Sequence, residues 1–166
     1  KAHPAARVAL PTVRGVAPLV RDLTRDWPIA PVIIEDAAAK RQAFADATVA
    51  LAASGTVSLE LAANRCPMVI AYDMNPITLW LMRRAALIDT VTLVNLVSET
   101  RTVPDFIGDR CTPALIASAL LGLMADGPAR AAQMAAMDLT MQRLGRGGDP
   151  PGLRAARSVL AVIGQG

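Results

Sequence analysis

The chain has 166 residues, 53% of them apolar and only 3% aromatic, with a formal charge of +3. That length suffices for one domain with a buried core, and an Ala-, Val- and Leu-rich composition suits a close-packed α/β or all-α protein rather than a β-sandwich. The basic residues are scattered, with no basic tract interleaved with aromatics, which argues against nucleic-acid binding.

In chain order, Arg7-Val8-Ala9-Leu10-Pro11 reads as a short buried strand ended by proline. Thr12 to Thr24 follows as a helix, with Val13, Val16, Ala17 and Val20 at helical spacing but Gly15 and Pro18 against it. Val32-Ile33-Ile34 is a second strand, and Ala37 to Ala47 a helix with Lys40 and Arg41 on its wet side and Phe44 as anchor. Thr48 to Leu51 is the third strand, leading through a polar turn into a helix that ends near Asn64. Met68 to Tyr72 is the fourth, entered through Cys66-Pro67.

Pro76 then opens a helix from Ile77 to Ile88, and Val91-Thr92-Leu93-Val94 reads as a fifth strand with Asn95 at its carboxyl end. The remainder is helical, over about Thr112–Ala125, Pro128–Leu144 and Gly152–Val162, with a Gly/Pro-rich loop before the last. The alternating Ala/Met run from Ala129 to Met141 reads as core. Strands alternating with helices indicate a Rossmann-like parallel sheet with helices on both faces. Residues 1–166 are read as one domain, expected to be part of a longer protein because the chain starts at Lys1.

The stretch with most chemical content is Ser54-Gly55-Thr56-Val57-Ser58-Leu59-Glu60. A strand, a small polar turn and a helix start leave backbone N–H groups free to meet an anion. Gly55 lets a phosphate approach closely, and Ser54 and Thr56 offer hydroxyl donors. Glu60 lies four residues after Thr56 on the same helix face, where a carboxylate suits sugar hydroxyls; Leu59 occupies the position a capping box would give to Glu. The plainer reading is an ordinary capped turn followed by a solvated first-turn acid. Ligands of parallel sheets sit at the carboxyl ends of the strands, and Ser54–Thr56 and Asn95 both fall on that edge.

Other chemistries find little support. Cys66 and Cys111 give no disulfide framework, and Cys66 beside Pro67 reads as a buried free thiol. The single histidine, His3, argues against a Ser-His pair or a His-ligated metal centre within this chain. No run reaches the roughly 18 apolar residues of a membrane span.

The runs Ala50–Ala62, Cys66–Tyr72, Pro76–Leu81 and Val91–Val97, with Leu144-Gly145 and Ala155-Ala156 near the end, resemble lipid-A-disaccharide synthase in collinear order over most of the chain. The resemblance implies the carboxyl-terminal, nucleotide-sugar half of a two-domain GT-B glycosyltransferase. The implied reaction joins UDP-2,3-diacylglucosamine to 2,3-diacylglucosamine 1-phosphate (lipid X), giving a β-1,6-linked disaccharide 1-phosphate and UDP. It belongs to lipid A synthesis at the inner face of the cytoplasmic membrane.

By the same resemblance Ser54, Gly55 and Thr56 contact the donor diphosphate, Glu60 binds the ribose hydroxyls, and Asn95 is the asparagine on which activity depends. No metal or other cofactor is implied. The chain departs from the family with Val94 where proline is usual, and with Asp105 and Gly108 where Glu and Gln are common. The family's first strand of this half, with its Gly-Ser-Arg loop, and the acceptor half with its acidic base are not in this chain, so the chain alone is expected to be inactive.

Two other functions fit the same residues: another UDP-sugar enzyme of GT-B architecture, such as an epimerase, and a non-catalytic nucleotide-binding module. The helix Ile77–Ile88, with Trp80 beside Arg83 and Arg84, suits either a membrane interface or a packed protein surface. An open sheet edge makes a homodimer compatible with the sequence.

Overall fold

In the computed structural model, which describes residues 6–73, 75, 78, 84 and 90–164, every paired strand runs parallel to its neighbour. Parallel pairs need long crossovers, and the apolar-periodic segments between the strands supply them as helices. The chain divides into two compact units, Lys1–Ala47 and Thr48–Gly166.

In the first unit β1 (Ala9–Pro11) pairs with β2 (Val32–Ile34), Leu10 opposite Ile33. The helix between them, α1 (Ala17–Thr24), starts later than the spacing predicts, because Arg14, Gly15 and Val16 form a turn. Pro18 then falls in the first turn of α1, where its missing N–H and fixed φ do no harm. The next helix, α2 (Ala37–Asp46), is capped by Asp36, whose carboxylate accepts the Ala39 N–H at 2.8 Å. Phe44 is its buried anchor, and Lys40 lies half-buried over that ring, 5.4 Å from the centroid, while Arg41 faces water.

The second unit carries the sheet that positions the site. Its strands β3 (Ala50–Ala52), β4 (Met68–Tyr72) and β5 (Asp105–Ile107) lie in the order β3-β4-β5. As the central strand, β4 buries Met68, Val69 and Ile70 in succession, as a strand covered on both faces must. Val69 packs with Phe106 and with Leu123 of α5 (Pro113–Met124). The pleat turns Met68 and Ile70 to the other side. Leu61 of α3 (Val57–Ala63), Val94 of α4 (Leu93–Ser98) and Met137 of α6 (Pro128–Arg143) are fully buried, and these three helices pack on one another. The Ala/Met run is core on one face: α6 buries Ala136, Met137 and Met141, while Ala129, Ala131, Ala132 and Ala135 are exposed.

One strand prediction fails. Val91–Val94 is not a strand; Thr92 is the extended cap of α4, and Leu93 and Val94 open that helix. The buried residues Val94, Asn95 and Ser98 recur at helical spacing, which a short run of apolar and β-branched residues conceals. The third strand of this sheet is β5, which pairs with β4 through Ile70–Asp105 to Tyr72–Ile107.

The predicted helix Ile77–Ile88, Trp80 included, lies outside the described residues except for Thr78 and Arg84, both helical. The last helix, α7 (Pro151–Ile163), is exposed along its length. Among the described residues no helix is long and apolar enough to cross a membrane.

Candidate functional site

The turn between β3 and α3 is set by its glycine. Gly55 has φ +128°, a region that side chains disfavour, and a Cβ there would meet nothing within 4 Å. The glycine therefore serves the backbone bend and leaves open space above it. Ser58 locks the bend from within the helix, its N–H and hydroxyl both donating to the Gly55 carbonyl at 3.3 and 2.9 Å. Leu59 N–H donates to the Thr56 carbonyl at 3.0 Å. Among the described residues no hydrogen bond engages the N–H groups of Gly55, Thr56 and Val57. The Thr56 and Val57 groups are donors of the kind that a helix start leaves over, and the Gly55 group belongs to the bend before it.

The side chains divide the work differently from the sequence reading. Thr56 is exposed and its hydroxyl caps nothing in α3. Ser54 instead donates its hydroxyl proton to the Val91 carbonyl at 3.1 Å, so its oxygen is left as an acceptor. The donors of this turn are thus three N–H groups and the Thr56 hydroxyl, and Ser54 ties the turn to the segment before α4. Glu60 is exposed in the first turn of α3, directly after the turn formed by Ser54, Gly55 and Thr56.

Asn95 stands apart from these four. It was expected at a strand end; it lies inside α4, 1% exposed. Its Oδ1 accepts the Val103 N–H at 3.0 Å, and its Nδ2 donates to the Val103 carbonyl at 2.8 Å and to Thr90 Oγ1 at 3.2 Å. The amide thus stands in for a β-strand neighbour, satisfying both polar groups of one buried residue. Its side-chain hydrogen bonds lead towards the turn through Thr90, whose neighbour Val91 receives Ser54.

Two residues of this framework escape sequence reasoning. Asp105, the first residue of β5, accepts from Thr90 Oγ1 at 2.6 Å, Val91 N–H at 3.3 Å and Thr92 Oγ1 at 3.4 Å, all through Oδ2. Gln133, fully buried in α6, accepts the Met68 N–H at 2.5 Å and donates to the Met68 and Thr102 carbonyls at 3.0 and 3.2 Å. A glutamine on the face shared with Ala136, Met137, Thr140 and Met141 was the signal for Gln133; Asp105 was marked only as standing where the family commonly has Glu, with no contact assigned to it.

Cys66 is a buried thiol in no disulfide, as expected, and burial pushes its pKa up to about 11 despite the nearby charge of Arg130. Gln142 is exposed at the end of α6. Among the described residues no group of three or more His, Cys, Asp and Glu side chains could hold a metal ion.

The family model described as "Lipid-A-disaccharide synthetase" matches residues 24–148, a span that includes the turn, Glu60, Asn95, Asp105 and Gln133. The chain belongs to the lipid-A-disaccharide synthetase family. Among curated members, lipid-A-disaccharide synthase of Ruegeria pomeroyi is 56% identical over 166 residues, covering 95% of this chain and 41% of the relative. The synthase of Rhodospirillum centenum is 41% identical, covering 97% of this chain and 40% of its own length. That of Paramagnetospirillum magneticum is 39% identical, covering 98% and 42%. The chain therefore spans about two-fifths of these synthases.

Proposed function

We propose that this chain is the donor-nucleotide half of a lipid A hexosyltransferase. The reaction moves 2,3-diacylglucosamine from UDP to 2,3-diacylglucosamine 1-phosphate, giving the β-1,6 disaccharide 1-phosphate and UDP. Membership of the lipid-A-disaccharide synthetase family over residues 24–148 carries this reading. The turn geometry supports it independently: an open glycine bend with three unengaged N–H groups suits a diphosphate.

In this reading the N–H groups of Gly55, Thr56 and Val57 and the Thr56 hydroxyl hold the donor diphosphate, and Ser54 keeps the turn in shape beside it. The acceptor 6-hydroxyl attacks the anomeric carbon, the bond to the β-phosphate oxygen breaks, and the electron pair stays on UDP. Negative charge grows on the β-phosphate as that bond opens. Donors already fixed at the turn then stabilise the transition state more than the bound sugar nucleotide. Glu60 accepts from the ribose hydroxyls. Asn95 contributes through Thr90 and Val91, by holding the frame behind the turn. The base that takes the acceptor proton comes from outside this chain, and in this reading the reaction takes place at the inner face of the cytoplasmic membrane, with the acyl chains of both substrates held in the bilayer.

Calorimetry of the full-length protein with UDP tests the nucleotide half of the proposal. UDP binds, and Glu60→Ala weakens binding by about 1–3 kcal/mol, the scale of a lost hydrogen bond to a charged group. Equal affinity in the two proteins contradicts the ribose role. Failure of the wild type to bind contradicts the donor site itself.

A further inference from the structure

We propose that Asp105 is a positioning residue for the nucleotide turn, acting through Val91 and Ser54; this rests on the nucleotide reading of that turn. The connection can be followed atom by atom. Asp105 is fixed to the sheet, where it pairs with Ile70 of the central strand. Its Oδ2 gathers the Thr90 hydroxyl, the Val91 N–H and the Thr92 hydroxyl at 2.6, 3.3 and 3.4 Å. The Val91 carbonyl then receives the Ser54 hydroxyl at 3.1 Å. A segment 14 residues from Asp105 and 37 from Ser54 thereby links the turn to β5, beside its direct chain connection to β3.

The direction of each proton is forced. A carboxylate can only accept, so Thr90 must donate to Asp105. The Thr90 oxygen then accepts from Asn95 Nδ2 at 3.2 Å and from the Thr92 N–H at 3.3 Å. Thr90 and Thr92 are buried, so these groups have no water to fall back on. Residues 90–92 belong to no strand, and their backbone takes its shape from these side-chain bonds. Without the carboxylate the Val91 N–H and the Thr90 and Thr92 hydroxyls lose their restraint, and the Val91 carbonyl between them, which holds Ser54, moves as well. Asp105 need touch no ligand to govern how the turn meets one.

A double-mutant cycle on UDP affinity in the full-length protein tests this. Asp105→Ala weakens UDP binding on the order of tenfold, the weight of a hydrogen bond to a charged group. Ser54→Ala also weakens it, and the double variant is no weaker than the more affected single variant, because both break one line of contacts. Thr90→Val, nearly isosteric, gives the same non-additivity and decides the matter if Asp105→Ala does not fold. Losses that add, or a Ser54→Ala variant with unchanged affinity, overturn the role of Asp105 while the nucleotide site stands. A wild type that does not bind UDP overturns both.

Discussion

The turn at Ser54–Val57 and the segment from Thr90 to Asp105 are built on opposite terms. The turn is open, leaves donors unengaged, and depends on one glycine bend. The segment from Thr90 to Asp105 holds buried polar side chains, Thr90, Thr92 and Asn95, whose groups pair with one another, with Val103 or with Asp105. Unengaged donors are tolerable where water reaches them and costly where it does not. The difference teaches that the surface element offers binding capacity and the interior element offers shape. Substitutions in the first, the strained Gly55 apart, should change affinity and spare stability; substitutions in the second should do the reverse or change both.

The largest effect is expected in the interior. Asn95→Ala leaves the Val103 N–H and carbonyl unpaired in the core, costing about 1–3 kcal/mol for each group. Urea denaturation measures it, and a midpoint equal to wild type would break the comparison. Gly55→Ala comes next. Its new Cβ meets no atom, so the cost is backbone strain alone, of order 1–3 kcal/mol, with UDP affinity falling as well. A stable Gly55→Ala protein with normal UDP affinity would mean that the bend is not needed.

Glu60→Ala sharpens the contrast from the other side. Exposed in the first turn of α3, Glu60 can be removed with stability kept within about 0.5 kcal/mol while UDP binding weakens. The smallest effect belongs to Cys66. Burial pushes its thiol from the ordinary value of 9.0 up to about 11, so the unfolded chain loses its proton first. The stability it contributes is complete below pH 9.0 and is lost as pH rises towards 11. Chemical denaturation between pH 8 and 11 of wild type and Cys66→Ala should show a steeper alkaline decline in the wild type.

The comparison also explains what could be read from the sequence. The βα alternation, the parallel pairing and the turn were legible because each has a local signature: an apolar run, a Gly between hydroxyl residues, a helix start. Of the predicted helices that the described residues cover, α1 alone had a bound off by several residues, because Gly15 and Pro18 delay its start. Thr90–Asp105 was misread because its order is tertiary. Val91–Val94 has strand composition, but its burial follows the helix spacing of Val94, Asn95 and Ser98. Asp105-Phe106-Ile107 is too short to show alternation, and becomes a strand by pairing with β4. The roles of Asn95 and Asp105 lie in contacts across 5 to 15 residues, which no local pattern encodes.

Amide NMR of the full-length protein during titration with UDP tests most directly whether the open turn holds the diphosphate. The largest shifts are expected at Gly55, Thr56 and Val57, with the shallow cavity beside Asp126, Arg130 and Met134 unaffected. Saturable binding that leaves those three amides in place and moves resonances elsewhere would contradict the account.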